Sequence, residues 1–403
     1  MDVPKMTTHP SVILKKGKER SILRRHPWIF SGAIARIEGA PGRGDMVDVL
    51  SFTGDFLCRG AYSPSSQITV RAFTFDHDER IDASWIEGRL RSAIAMREAV
   101  PSLRARTAQR LVNAESDGLP GLIVDLYGDF LVCQFLSAGV EAMKDAIVRI
   151  LHTLLPSRGI YERSDADVRR KEGLVPRKGL LWGEEPPSLL PIREEGGAYL
   201  VDVKNGHKTG FYLDQAENRV LLREYACGRE VLNAFSYTGG FGISALLGGA
   251  ARVTNVDDSQ ENLDLARKNA MENGIDPERM ENLPGDVFHV LRGFRDEERT
   301  FDLVVLDPPK FVGSRSHLES GLRGYKDINL LAFRILRPGG ILATFSCSGL
   351  VEPHLFQKVV ADGACDAGRN ARILRHLDQA PDHPVLLSFP EGRYLTGLLC
   401  IAE

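Results

Sequence analysis

The stretch that most constrains this chain is Phe301 to Phe311, FDLVVLDPPKF. Apolar residues around a single aspartate make a short run of the kind buried in the middle of a parallel sheet. Asp307-Pro308-Pro309 stops that run abruptly. Prolines lack the amide donor that a sheet needs, and Pro308 biases Asp307 away from helix. The product is a stiff turn at the carboxyl end of a strand, the edge at which open α/β sheets bind ligands. A carboxylate fixed there, beside rigid backbone carbonyls, suits a planar hydrogen-bonding group such as a nucleobase. On this stretch alone an ordinary strand and turn reads the same way, and the neighbouring motifs decide.

With 403 residues the chain exceeds one usual core, so more than one domain is expected. A formal net charge of −3 means that any polyanion-binding surface must be a local patch. No apolar run reaches the length of a membrane span, and the start, MDVPKMTTHP, has no apolar core of a secretory leader. Six scattered cysteines, with no CxxC pair, point to reduced thiols in a cytoplasm and to no metal site.

Residues 9–78 read as a small β-rich module. Alternating apolar positions mark strands in MVDVL, FLCRGA and QITVRAF, with turns at Thr53-Gly54-Asp55 and Ser63-Pro64-Ser65. Between Ser11 and Arg43 there are eight lysines and arginines against Glu19 and Glu38, with Trp28 and Phe30 among them. Such a patch is an electrostatic footprint for nucleic acid, because cations neutralise phosphates and rings stack on bases. Lys15, Lys16, Arg24 and Arg25 are the RNA contacts expected from it, while Trp28 itself reads as core. Residues 79–188 form a central α/β stretch: a helix over Asp82 to Val100, strands GLIVDLY and FLVCQF, a helix over Val140 to Leu155 and a strand at Gly159 to Glu162. The polar, Gly- and Pro-rich part from Arg163 to Pro187 reads as loop.

Residues 189–403 alternate strand and helix after an opening hairpin, which predicts a doubly wound parallel sheet. PVLLSF and RYLTGLLCIA, joined by Pro390-Glu391-Gly392, read as an antiparallel hairpin added to its edge. The loop NAFSYTGGFGISA (Asn233 to Ala245) follows the first strand of this sheet. Its glycines let backbone approach a ligand, and the helix start behind it supplies amide donors. It is neither GxGxxG nor a Walker loop, so dinucleotides and triphosphates lose ground. Asp257, Asp286 and Asp307 end the second, third and fourth strands. Each alone is equally a cap or turn former. As an ordered series behind one glycine loop, they fit an adenosine-bearing ligand without a pyrophosphate, of which S-adenosylmethionine is the common one. Phe235, Ser236, Thr238, Gly239, Gly240, Asp257, Asp286 and Asp307 are the expected cofactor contacts. Cys347, in TFSCSG at the next strand end, reads either as an inert buried thiol or as an exposed nucleophile, and its strand-end position favours the second.

Residues 11–403 resemble the bacterial 23S ribosomal RNA cytosine-5 methyltransferases that carry an N-terminal PUA domain. The matching stretches are HPWIFSGAI, ESDGLPGLIVD, KTGFYLDQ, FSYTGGFG, DPPKF, RGYKDIN, FSCSG and DHPV. The resemblance implies a small β-barrel PUA domain, a central α+β domain and a class I, Rossmann-like methyltransferase sheet. It implies S-adenosylmethionine as cofactor, and 23S ribosomal RNA or a large-subunit assembly particle as partner, with a homodimer compatible. By the same resemblance Cys347 occupies the nucleophile position of RNA carbon-5 pyrimidine methyltransferases, and Asp307 would bond the N3 or amino edge of the ring. Some related RNA methyltransferases place a second cysteine just after the DPP-like motif. Here Lys310 stands there, a departure that argues against a two-cysteine release and leaves Lys310 as a phosphate contact, a base contact or a solvated side chain. Two rivals remain at this level: an amino methyltransferase, which needs no thiol, and a non-catalytic RNA-binding or ribosome-assembly protein.

Overall fold

Hydrophobic runs at 231–234, 253–256, 303–306 and 341–346 form the buried middle of one sheet in a computed structural model that describes residues 9–403. Most of the opening MDVPKMTTHP, on which the expectation of no leader rests, lies outside the described residues. The sheet has seven strands: β1 (Glu230–Ala234), β2 (Arg252–Asp257), β3 (Met280–Pro284), β4 (Phe301–Leu306), β5 (Leu336–Ser346), β6 (Ala371–Leu377) and β7 (Thr396–Ala402). Their spatial order is β3-β2-β1-β4-β5-β7-β6. The first five run parallel, and β7 runs antiparallel to both β5 and β6. Strand order reverses between β1 and β4, so their carboxyl ends flank the crevice where such sheets bind ligands. The FDLVVL run is therefore a central strand, as its pattern predicts.

Five helices connect these strands: α1 (Gly240–Leu247), α2 (Gln260–Glu272), α3 (Val287–Asp296), α4 (Leu318–Ile335) and α5 (Pro353–Asp366). Ser259 caps α2 by accepting the Asn262 amide at 3.2 Å, and Asp286 caps α3 by accepting the His289 amide at 2.9 Å. The apolar faces of α3, α4 and α5 pack on β4 and β5 through Leu291, Ile328, Leu331 and Phe356. A hairpin of Leu190–Glu194 and Gly197–Val201 precedes the sheet. Its Glu194 forms a buried ion pair with Arg219 at 2.5 Å.

The chain divides into two units. One comprises residues 1–190, 201–213 and 381–392, and the other comprises 191–200, 214–380 and 393–403. In the first unit a six-stranded sheet carries the predicted strands as Met46–Leu50, Phe56–Tyr62 and Ile68–Thr74. Val12, Val47, Val49 and Val70 make its core. A five-stranded sheet follows, in the order Arg177–Gly183, Gly159–Ser164, Phe130–Phe135, Leu122–Tyr127, Ala108–Asn113. Buried Glu172 ties the two sheets, accepting from Ser63 Oγ at 2.7 Å and Arg71 Nη1 at 2.8 Å.

Three expectations are corrected. Arg163 to Pro187 is not all loop, because Arg177–Gly183 is an edge strand paired antiparallel with Gly159–Ser164. Its solvent-facing edge position leaves only a weak apolar alternation to read. The helix expected over Val140 to Leu155 is two, Ala138–Ala142 and Lys144–Leu154, separated at Met143. The closing hairpin is also different. The partner of β7 is β6, ARILRHL, whereas PVLLSF forms no strand and belongs to the first unit. There Arg110 N donates to Asp382 Oδ2 at 2.9 Å, Asn113 Nδ2 donates to the Pro384 carbonyl at 3.0 Å, and Phe389 packs against Trp28. Prolines 381, 384 and 390 remove the amides a ladder would need. Among the described residues, no helix is long and apolar enough to cross a membrane.

Candidate active site

At the end of β1 the backbone turns sharply. Phe235 and Tyr237 hold left-handed conformations with φ of 58° and 47°, and Gly239 follows at 81°. Two non-glycine residues in that region within three positions are a local strain of the kind that clusters at ligand sites. The loop is held by the next strand: Ser236 N donates to the Val256 carbonyl at 2.9 Å, and Tyr237 N donates to Asp257 Oδ2 at 2.7 Å. The other oxygen of Asp257 accepts from Ser259 N at 3.1 Å and from Asn262 Nδ2 at 2.9 Å. A carboxylate has about four lone-pair sites, so one acceptor position remains for a ligand hydroxyl. Ser236 Oγ and Thr238 Oγ1 are buried and meet no hydrogen-bond partner among the described residues. Buried hydroxyls normally find partners, so these two suit a bound polar ligand lying against the loop.

Gly239 is needed for packing as much as for approach. A Cβ there would lie 2.9 Å from the Ala266 Cβ, and one at Gly242 would lie 2.4 Å from Asn255 Oδ1. The sequence pattern assigns these glycines to the ligand, whereas their immediate neighbours are α2 and β2. Gly240 begins α1.

The remaining carboxylates differ in setting. Asp286 is exposed and serves as the cap of α3. Asp307 is half-buried at the end of β4, and its Oδ1 accepts from Gln215 Nε2 at 3.1 Å. Gln215 is in turn oriented by Asn218, whose Nδ2 donates to Gln215 Oε1 at 2.6 Å. Aromatic rings connect the loop, the start of α3 and the proline turn. Phe235 and Phe288 are 6.5 Å apart, Phe288 and Phe311 5.9 Å, and Phe311 and Tyr325 4.8 Å. Cys347 is half-buried, and its Sγ lies 3.8 Å from the carbonyl oxygen of Pro308. The thiol and the DPPKF turn, thirty-nine residues apart in sequence, therefore meet at neighbouring strand ends. Lys310 is exposed beside them.

In the first unit, Lys15, Lys16, Arg24 and Arg25 are all exposed. They are not equivalent. Arg24 lines a cavity of about 840 Å³ together with Lys18, Arg20, His26 and Leu387. Lys15 donates to the Gly32 carbonyl at 3.0 Å, and the Arg25 guanidinium lies 5.9 Å from the Phe75 ring. Lys16 and Arg24 thus keep the greater freedom to meet phosphate. Trp28 is half-buried with its Nε1 donating to Glu115 at 2.8 Å, in line with a packing role.

Gln215, Phe288 and Tyr325 carry no role that the sequence alone assigns. Gln215 and Tyr325 fall inside KTGFYLDQ and RGYKDIN, and Phe288 follows Asp286 by two positions. Their signal is adjacency to the site in space, which one sequence does not display.

Comparison with known proteins agrees with this geometry. Residues 12–75 match a PUA-like domain model, and residues 162–387 match an S-adenosylmethionine-dependent methyltransferase model. The second match identifies S-adenosylmethionine as the cofactor, and the partnerless hydroxyls of Ser236 and Thr238 fit a polar ligand at the loop. The fold is that of a putative S-adenosylmethionine-dependent methyltransferase from Streptococcus mutans, with a TM-score of 0.85 at 23% identity over 97% of this chain and 99% of that one. The ribosomal RNA large subunit methyltransferase I of Aeromonas hydrophila is 54% identical over 394 residues, 98% of this chain and 99% of the relative. That of Klebsiella pneumoniae is 51% identical over 391 residues, 97% and 98% of the two chains. With a PUA-like module, a methyltransferase sheet and this likeness along nearly its whole length, the chain belongs to the ribosomal RNA large subunit methyltransferase I family.

Proposed function

We propose that this protein methylates carbon 5 of a cytidine in 23S ribosomal RNA through a covalent adduct between Cys347 and carbon 6. The coarser activity, methylation of large-subunit ribosomal RNA with S-adenosylmethionine, follows from family membership. The observation that carries the finer reading is the meeting of Cys347 with the Asp307-Pro308-Pro309 turn, sulfur to carbonyl at 3.8 Å.

The cofactor supplies an electrophilic sulfonium methyl group, whose sulfur–carbon bond breaks as the methyl is taken so that a neutral thioether is left. Carbon 5 of cytosine is too weak a nucleophile to take it unaided. The Cys347 thiolate forms a bond to carbon 6, and the electron pair of the carbon 5–carbon 6 double bond makes carbon 5 enamine-like and able to accept methyl. A base then removes the carbon 5 proton, the double bond re-forms and the carbon–sulfur bond breaks. Asp307, held through one oxygen by Gln215, accepts from the amino edge of the ring and fixes its plane between cysteine and methyl group. Asp257 accepts from a ribose hydroxyl of the cofactor at the one acceptor position that its loop bonds leave. Ser236 and Thr238 donate to its polar groups, and Phe235 and Gly239 to Gly240 shape the loop around it. Asp286, exposed beside Phe288, faces the purine edge, and Lys310 meets the RNA backbone. Lys15, Lys16, Arg24 and Arg25 hold RNA through phosphates.

An RNA with 5-fluorocytidine at the target position tests this. Fluorine cannot leave as a cation, so wild-type protein with S-adenosylmethionine should form an adduct that survives denaturation. Cys347→Ala should form none, lose turnover and still bind cofactor by calorimetry. A Cys347→Ala protein that still produces 5-methylcytidine would falsify the covalent step. A product methylated on an exocyclic amine would assign the enzyme to the amino methyltransferases.

A further inference from the structure

Cys347 lies between two serines that are both tied to one phenol. Ser346 Oγ donates to Tyr325 Oη at 2.9 Å, and Tyr325 Oη and Ser348 Oγ are 3.1 Å apart. The loop closes on itself, because Ser348 N donates back to Ser346 Oγ at 3.3 Å. A fourth contact leads outward: Val312 N donates to Ser348 Oγ at 3.2 Å. All three hydroxyl-bearing residues are buried. Tyr325 sits on α4 with its ring packed between Phe311 at 4.8 Å and Phe356 at 5.5 Å. Burial pushes the phenol above its ordinary pKa, so its proton stays in place at neutral pH. With Ser346 as donor to the phenol oxygen, the phenol proton is directed at Ser348.

These bonds leave Cys347 as a one-residue arch. Its neighbours on both sides are anchored to the same oxygen, and it alone of the three remains half-buried. Through Val312 the same network also holds the residue that follows the DPPKF turn, and the Pro308 carbonyl of that turn faces the sulfur. One side chain of α4 thus fixes both strand ends that the reaction has to bring together. Closed hydrogen-bond networks in low dielectric rigidify what they hold.

We infer that Tyr325 is a positioning residue for the reaction: its phenol sets the Ser346–Cys347–Ser348 arch against the DPPKF turn and so aims the sulfur at carbon 6. This rests on the reading of Cys347 as the nucleophile. It gives RGYKDIN, which contains Tyr325, a part in the chemistry without any contact to substrate.

Tyr325→Phe removes one oxygen and keeps the ring between Phe311 and Phe356. The full-length variant should bind S-adenosylmethionine within twofold of wild type and keep its KM for RNA. Its kcat and its rate of covalent trapping on 5-fluorocytidine RNA should fall together, about tenfold to a hundredfold, the scale at which a misplaced reacting group costs rate. Ser348→Ala should show the same split, also supplying the test if Tyr325→Phe folds poorly. The double variant should be no slower than the worse single one, since both act through one network. Ile328→Val, a buried change on the same helix, should lower stability and leave kcat alone. Wild-type kcat and trapping in Tyr325→Phe and Ser348→Ala overturn the inference. So does a matching loss of kcat in Ile328→Val, which would mark the effect as general loosening of α4. A Cys347→Ala protein with turnover would instead remove the nucleophile reading beneath it. An inactive Cys347→Ala beside fully active Tyr325→Phe leaves that reading standing and rejects only the positioning role.

Discussion

Replacing Asp257 with alanine takes away one carboxylate and leaves three donors behind. The Tyr237 amide at 2.7 Å, the Ser259 amide at 3.1 Å and the Asn262 side-chain amide at 2.9 Å all aim at it. Asp257 is 8% exposed. Tyr237 is buried and held at a φ of 47°, so its amide cannot turn to water without moving the loop. A bond to a charged group is worth about 1.5–3 kcal/mol, and a stranded buried donor costs about 1–3 kcal/mol. Ser259 and Asn262 are half-buried and recover part of their solvation. The stability loss should therefore be about 2–4 kcal/mol, dominated by the Tyr237 amide. Affinity for S-adenosylmethionine should fall at least tenfold to a hundredfold, the equivalent of about 1.5–3 kcal/mol for the lost ribose acceptor. Asp257→Asn separates the two effects. Its single carbonyl oxygen can accept on one side of the carboxylate's place only, so stability should fall about half as far while the charge is lost entirely. Urea denaturation with and without cofactor measures the first quantity, and calorimetry the second. An alanine variant within about 0.5 kcal/mol of wild type, inside the range of an ordinary surface change, would show that the carboxylate does not hold the loop. Unchanged affinity would remove Asp257 from the cofactor site.

Gly239→Ala should lose about 2–4 kcal/mol of stability by urea denaturation, since a side chain at a φ of 81° costs about 1–2 kcal/mol and overpacking against Ala266 adds a similar amount. A variant as stable as wild type would mean that the loop can shift away from α2 freely. Alanine at Lys15, Lys16, Arg24 and Arg25 together should weaken RNA binding and flatten its log–log salt dependence by about 0.7 for each phosphate no longer neutralised. Lys16 and Arg24 should account for more of that change than Lys15 and Arg25, which are already engaged with Gly32 and Phe75. Equal slopes for mutant and wild type in a salt titration would leave the patch as a solvated face.

The parts of the site that can be read in sequence are those carried by short, locally determined segments. A buried strand stopped by two prolines, a glycine turn entering a helix and a capped helix start each follow from backbone chemistry within about ten residues. That is why β4 and the loop after β1 stand where the pattern puts them. Edge strands are harder. Arg177–Gly183 and β6 carry arginines and lysine on exposed positions, so they lack the apolar alternation that reveals a half-buried strand. PVLLSF has the apolar run but spends it elsewhere, with Leu387 left 102% exposed. Gln215 and Tyr325 are invisible for another reason. Their partners Asp307 and Ser348 lie ninety-two and twenty-three residues away, and only the closed sheet brings each pair to one strand end.

The position of β7 bears on the order in which this protein can be made. It is the last strand in the sequence, yet it lies between β5 and β6 and pairs with both. A nascent chain that has delivered β1 to β6 therefore holds β6 without a ladder partner, and β5 with one edge open, until Thr396 to Ala402 emerge. The segment 381–392, synthesised just before β7, goes to the unit that was begun first. The first unit is therefore incomplete until residues 381–392 emerge, and the sheet of the second until β7 follows. Contacts this distant in sequence slow folding and expose unpaired edges while they form. The thiol arch stands at the end of β5, whose second neighbour is the last strand of the sheet to be made, so the edge beside the reactive centre stays open until β7 pairs.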